Sequence, residues 1–103
     1  YQGRLLEAER EVLAGLEESA RQGGCPSDFR RLARPTSKWN MYASDITLFY
    51  LYTLKALAFI KLRLQQPTEA RVILSLMQEI DPEDRCGASV IMSLSDALNE
   101  EAA

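Results

Sequence analysis

The chain has 103 residues, of which 47% are apolar, and carries a formal net charge of −3. These values predict one globular domain over residues 1–103 with a modest core, and the acidic balance argues against nucleic-acid binding. The sequence contains no histidine, so the commonest general base and metal ligand are missing. We therefore expect a protein that is not an enzyme and has no cofactor.

An amphipathic helix is predicted over residues 1–24. Its apolar residues recur at spacings of three and four, and its acidic residues fall largely outside that stripe. The stripe consists of Leu5, Ala8, Val12, Leu16 and Ala20. Gly23 and Gly24 follow, and glycine tolerates the left-handed conformation that ends many helices.

An irregular linker is predicted over residues 25–38. It carries a basic cluster of Arg30, Arg31, Arg34 and Lys38. Such a cluster can bind phosphate, an acidic partner or nucleic acid. The more frequent alternatives are a solvated connector, or ion pairs with acids of the first helix such as Glu7, Glu11 and Glu18.

A long central helix is predicted over residues 39–66. Its apolar run, residues 46–60, is shorter than a bilayer span and carries Lys55 near its middle, so no membrane insertion is expected. Several β-branched and aromatic residues favour a strand. The leucine- and alanine-rich second half, together with the length of the run, favours a helix.

Two further helices are predicted over residues 67–103. Pro67 fits the first position of a helix that runs to Ile80. Asp81 and Pro82 then predict the cap and first turn of the last helix. The apolar residues of that helix are Ala88, Ile91, Met92 and Leu98. The expected fold is all-α, with about four antiparallel helices.

The spacing from Leu54 to Pro82 resembles one tetratricopeptide repeat (TPR), a helix-turn-helix unit of about 34 residues. With Pro82 set on the closing proline of the repeat, Ala70 falls on the small residue of its second helix. Leu57 and Ala58 fall on the leucine and small residue of its first helix. Three positions depart from the pattern: Lys61, Gln65 and Met77. The resemblance implies a TPR-like architecture.

In TPR proteins the corresponding side of the first helix lines a groove that holds a peptide or a helix. The resemblance therefore implies a partner-binding face made of Tyr52, Lys55, Phe59, Leu62 and Arg63. The alternative is that residues 1–40 cover this face within the same molecule. The chain is also similar in size, charge and repeat content to the small TPR-like chaperones of bacterial type III secretion, which implies a cytoplasmic protein that binds another protein.

Six of the eight aromatic residues lie within residues 39–59. They are Trp39, Tyr42, Phe49, Tyr50, Tyr52 and Phe59. Such a concentration is typical of an interface core and equally of a small filled core. Two alternatives stay open: a homodimer through the same face, which would make the protein a structural or adaptor piece, and a small-molecule pocket around Trp39, Tyr42 and Tyr50.

Other kinds of site have weak signals. Cys25 and Cys86 are expected to be reduced thiols, with a disulfide as the alternative. The acidic residues near position 81 lack the ligand spacing and central glycine of a calcium loop. Lys55 could act as a base if burial lowered its pKa, although extension to solvent or to Asp45 is the expected arrangement. No signal segment is visible, which agrees with a cytoplasmic location.

Overall fold

A computed structural model describes residues 2–32 and 40–102, which contain four α-helices and one short 3₁₀-helix. The elements are α1 (Gln2–Gly23), the 3₁₀-helix (Phe29–Arg31), α2 (Asp45–Arg63), α3 (Pro67–Ile80) and α4 (Ala88–Ala102). No strand occurs in the two described ranges. The prediction of an all-α fold with four helices is confirmed.

Helix α2 lies at the centre of the fold and contacts the other three α-helices. Helices α1 and α3 both pack along α2, and α4 packs on α3 and also contacts α2. Gly23 lies beside Ile46, and Glu9 lies beside Lys61, so α1 and α2 run antiparallel. The core contains large side chains from α1, α2 and α3, including Leu16, Tyr50, Leu54, Leu57, Ile73, Leu74 and Met77.

The helix ends follow local signals in two places. Helix α1 ends at Gly23, and Gly24 adopts a φ of 75°, as the glycine pair predicts. Pro67 occupies the first turn of α3, as predicted. The segment after Gly24 differs from the predicted irregular linker, because it contains a 3₁₀-helix and because Phe29 and Leu32 are buried in the core.

Helix α2 is shorter than the predicted range of 39–66. It begins at Asp45, because Ser44 and Thr47 form a capping box. The Thr47 N–H donates to Ser44 Oγ at 3.2 Å, and the Ser44 N–H donates to Thr47 Oγ1 at 3.2 Å. The helix ends at Arg63, and Gln65 then adopts a left-handed φ of 60°.

The prediction that Asp81 and Pro82 start the last helix is wrong, since α4 begins at Ala88. The carboxylate of Asp81 accepts hydrogen bonds from the backbone N–H groups of Arg85 and Cys86, both at 3.0 Å. It therefore organises a loop instead of capping a helix. The Ser89 N–H at the start of α4 donates to Asp84 Oδ1 at 3.2 Å.

Candidate protein-interaction surface

Three aromatic side chains of α2 are exposed, whereas most other side chains of this helix are buried or partly buried. Phe49 is 54% exposed, Tyr52 is 51% exposed and Phe59 is 39% exposed. We call these three residues the aromatic face. The prediction named Tyr52 and Phe59 but did not place Phe49 in the site, although its position one turn before Tyr52 was the available signal.

Leu62 does not belong to this face, because only 8% of it is exposed. At about 100° per residue, Phe59 lies roughly 20° around α2 from Tyr52, whereas Leu62 lies roughly 80° away in the same direction. Lys55 lies roughly 60° away, is partly buried, and places its Nζ near Gly87 before α4. The prediction that Leu62 contributes to an exposed groove is therefore wrong.

Arg63 lies at the end of the aromatic face. Its side chain is exposed, and its guanidinium carbon lies 6.0 Å from the centroid of the Phe59 ring. That distance is at the outer limit of a cation–π contact. The structure thus brings Arg63, Phe59 and Tyr52 to one surface.

An apolar groove of about 280 Å³ lies between α1 and α2, next to the aromatic face. Its lining residues are Glu11, Val12, Gly15, Phe49, Tyr52, Thr53 and Ala56. A methyl group added at Gly15 would lie 3.9 Å from the Phe49 ring, which is ordinary contact distance. The groove is therefore open because Gly15 has no side chain there. Helix α1 packs beside the aromatic face and leaves it uncovered.

Lys61 connects three helices. Its Nζ lies 2.5 Å from Glu9 Oε2 on α1 and 3.3 Å from Glu69 Oε2 on α3. Burial acts to lower the pKa of Lys61, but the two carboxylates outweigh it and hold that pKa above its ordinary value. These two ion pairs link α1 and α3 to α2 through one side chain.

The hydroxyl groups of Tyr42 and Tyr50 donate hydrogen bonds to different parts of the chain. The Tyr50 hydroxyl donates to the Pro26 carbonyl at 3.1 Å, whereas the Tyr42 hydroxyl donates to the Asp81 carboxylate on the other side of α2's start. Each hydroxyl thus serves a different loop. Trp39, the third residue of the proposed pocket, lies outside the described residues.

The basic cluster is described only in part, because Arg34 and Lys38 lie outside the described residues. Arg30 pairs with Asp28 at 3.7 Å and stacks over the Phe29 ring at 4.7 Å from its centroid. These local contacts favour a structural role for Arg30. The predicted pairing with Glu18 is not observed for it, since Glu18 pairs with Arg21.

The described residues contain no group of three or more cysteine, aspartate and glutamate side chains that could hold a metal ion. Both cysteines are free and buried. Burial raises the pKa of Cys25, and burial together with the Asp81 charge raises the pKa of Cys86 to about 11. Neither thiol therefore has the properties of a reactive nucleophile.

A second apolar stripe runs along α4. Its members are spaced four residues apart and are all exposed: Val90, Leu94 and Leu98. The opposite flank of α4 faces α3, where Arg71 pairs with Asp96. An open groove of about 470 Å³ between α3 and the end of α4 includes Arg71 and Asn99 in its lining.

No helix in the described ranges is long and apolar enough to cross a membrane. Comparison of the chain with protein-family models, curated proteins and solved structures found no match.

Proposed function

We propose that this domain is a non-catalytic protein-interaction module. It binds an amphipathic helix or an extended segment of another protein along the aromatic face. The observation that carries the proposal is that Phe49, Tyr52 and Phe59 stay about half exposed on a helix that α1, α3 and α4 all contact. Large aromatic side chains are enriched in interface cores because they bury much area at low entropic cost.

The aromatic face supplies only part of the free energy that binding of a partner requires. Covering the exposed halves of three aromatic side chains removes about 300 Å² from water, a gross gain of about 7 kcal/mol. Association itself costs about 4–15 kcal/mol. The aromatic face alone is therefore insufficient, and a partner needs the adjoining groove at Val12 and Gly15 as well.

We also propose that the helices follow a TPR-like arrangement. Ala58 and Ala70 are fully buried, as expected where the two helices of a repeat approach closely. Helix α4 contacts both members of the α2–α3 pair, as the first helix of a following unit does. On this basis the protein acts as a cytoplasmic chaperone that shields a partner segment, in the manner of the small TPR-like chaperones of type III secretion.

Self-association is the second candidate function. The exposed stripe of Val90, Leu94 and Leu98 on α4 favours it, because a second apolar surface of helical spacing is typical of helix–helix contacts. A homodimer through α4 leaves the aromatic face free, whereas a homodimer through α2 occupies it. Sedimentation of Leu94→Glu and Phe59→Glu variants separates the two arrangements.

Site-specific photo-crosslinking in the native host tests the main proposal. A photoreactive phenylalanine analogue is placed at position 52 or 59, and at position 72 as a control, since Val72 is equally exposed on α3. We expect crosslinks to one other protein from positions 52 and 59 only. Equal crosslinking from position 72, or crosslinks exclusively to a second copy of the chain, would contradict the proposal.

A further inference from the structure

Two carboxylates that form no ion pair within the described residues, those of Glu7 and Glu11, lie on the flank of α1 beside the groove. Glu11 lines both the apolar groove and a second, smaller depression that Glu7 and Arg10 share. Around α1, Glu11 lies roughly 40° from Gly15 and Glu7 roughly 80° from it in the same direction. Arg10 lies roughly 140° from Gly15 and so points away from the groove.

The remaining charged groups near this flank are already engaged or lie at its end. Glu18 is on the same flank but accepts hydrogen bonds from Arg21 and Gln22. Arg4 lies one turn before Glu7 on α1, and Arg63 lies at the end of the aromatic face, where it contacts Phe59. Glu7 and Glu11 form no ion pair within residues 2–32 and 40–102.

This arrangement specifies the charge of the occupant. Resting on the proposed function, we propose that the partner segment is a basic amphipathic helix. Its apolar side covers the aromatic face, and two lysine or arginine residues one turn apart pair with Glu7 and Glu11. The two carboxylates are spaced at i and i+4, about 6 Å apart, which matches cations at the same spacing on a second helix. Acidic residues of a partner placed opposite Glu7 and Glu11 would be repelled by these two carboxylates.

A selection from a displayed peptide library tests this charge preference. The library encodes helices of about 20 residues with a constant leucine and alanine apolar side, and each flanking position encodes lysine, glutamate or glutamine. The bait is the full chain, and parallel selections use the Glu7→Gln/Glu11→Gln variant. The matched control is Glu17→Gln/Glu100→Gln, because Glu17 lies roughly 160° from Gly15 on α1 and Glu100 is exposed on α4.

We expect lysine to be enriched over glutamate at two flanking positions one turn apart. Recovered peptides should bind about tenfold more weakly to Glu7→Gln/Glu11→Gln, at about threefold for each exposed ion pair, and the loss should shrink at high salt. The Glu17→Gln/Glu100→Gln control should bind as tightly as the unaltered chain.

The possible failures are distinguishable. Peptides that need Tyr52 and Phe59 but show no lysine preference would overturn the charge assignment and leave the proposed function standing. Peptides whose binding is unaffected by Tyr52→Ser/Phe59→Ser would overturn both. Recovery of no peptide at all would overturn the basic helix as the occupant and leave an extended segment as the partner of the aromatic face. A stable dimer that dissociates with Phe59→Glu would also overturn both, because a second copy would then occupy the face.

Discussion

Replacing Asp81 with asparagine should cost the protein about 3 kcal/mol of unfolding free energy. Asp81 is only 3% exposed, and its carboxylate accepts the Tyr42 hydroxyl and the N–H groups of Arg85 and Cys86. An asparagine amide turns one oxygen into a donor, so at least one buried N–H or O–H group loses its acceptor. A buried donor without an acceptor costs about 1–3 kcal/mol of unfolding free energy. The remaining hydrogen bonds to residue 81 also become weaker, because the acceptor is no longer charged.

The same substitution should change how stability depends on pH. Burial acts to raise the pKa of Asp81, but the hydrogen bonds from Tyr42, Cys86 and Arg85 outweigh it and hold that pKa below its ordinary value. The stabilisation by the carboxylate is therefore complete above the pKa of the unfolded chain and is lost as pH falls through the folded pKa. The difference between the two proteins should be constant from pH 7 to 5 and shrink below about pH 4.

Urea unfolding and thermal unfolding, each followed by far-ultraviolet circular dichroism, measure both effects. At neutral pH the Asp81→Asn variant should melt about 15 °C lower than the unaltered chain, and Tyr42→Phe should lose about 1 kcal/mol. Glu100→Gln is the control, because it removes one exposed charge. A loss below about 0.5 kcal/mol for Asp81→Asn, or a difference that stays constant down to pH 3, would refute the reasoning.

Three other outcomes are expected. Lys61→Met should destabilise the protein by about 2–3 kcal/mol in urea, because it leaves Glu9 largely buried without a cation, and adding Glu9→Leu should restore part of that loss. Gly24→Ala should lower the free energy of unfolding by about 1 kcal/mol in the same assay. The cause is the positive φ of residue 24 alone, since no atom lies within 4 Å of the added methyl group. An unchanged urea midpoint would argue against that conformation. Cys25 and Cys86 should react slowly with a thiol reagent in the folded protein and completely in urea, and rapid labelling of either thiol in the native state would contradict their burial.

Local sequence signals correctly predicted those helix ends that depend only on residues adjacent in the sequence. The glycine pair at the end of α1 and Pro67 at the start of α3 act through backbone geometry alone, so the structure agrees with them. The prediction that Asp81 caps the last helix failed because one of its partners, Tyr42, is 39 residues away in the sequence. A carboxylate at this position can cap a helix or bind distant donors. In the structure it accepts hydrogen bonds from three donors: the Tyr42 hydroxyl and the N–H groups of Arg85 and Cys86.

The candidate surface was predictable in part for a related reason. Helical spacing placed Tyr52 and Phe59 close together, and both are exposed. Spacing could not tell that Leu62 is buried, because Leu62 lies only roughly 60° around α2 from Phe59. Its burial depends on how the other helices pack around α2. The role of Lys61 was hidden as well, since both of its carboxylate partners come from other helices.

The attachment of α1 has a consequence for the motions of the protein. Among the described helices, α1 contacts α2 alone, whereas α2 and α3 each contact two or more helices. Opening of α1 therefore breaks a single interface and should need less free energy than global unfolding. Its amides should exchange with deuterium before those of α3, and any ligand that bridges α1 and α2 should slow that exchange first.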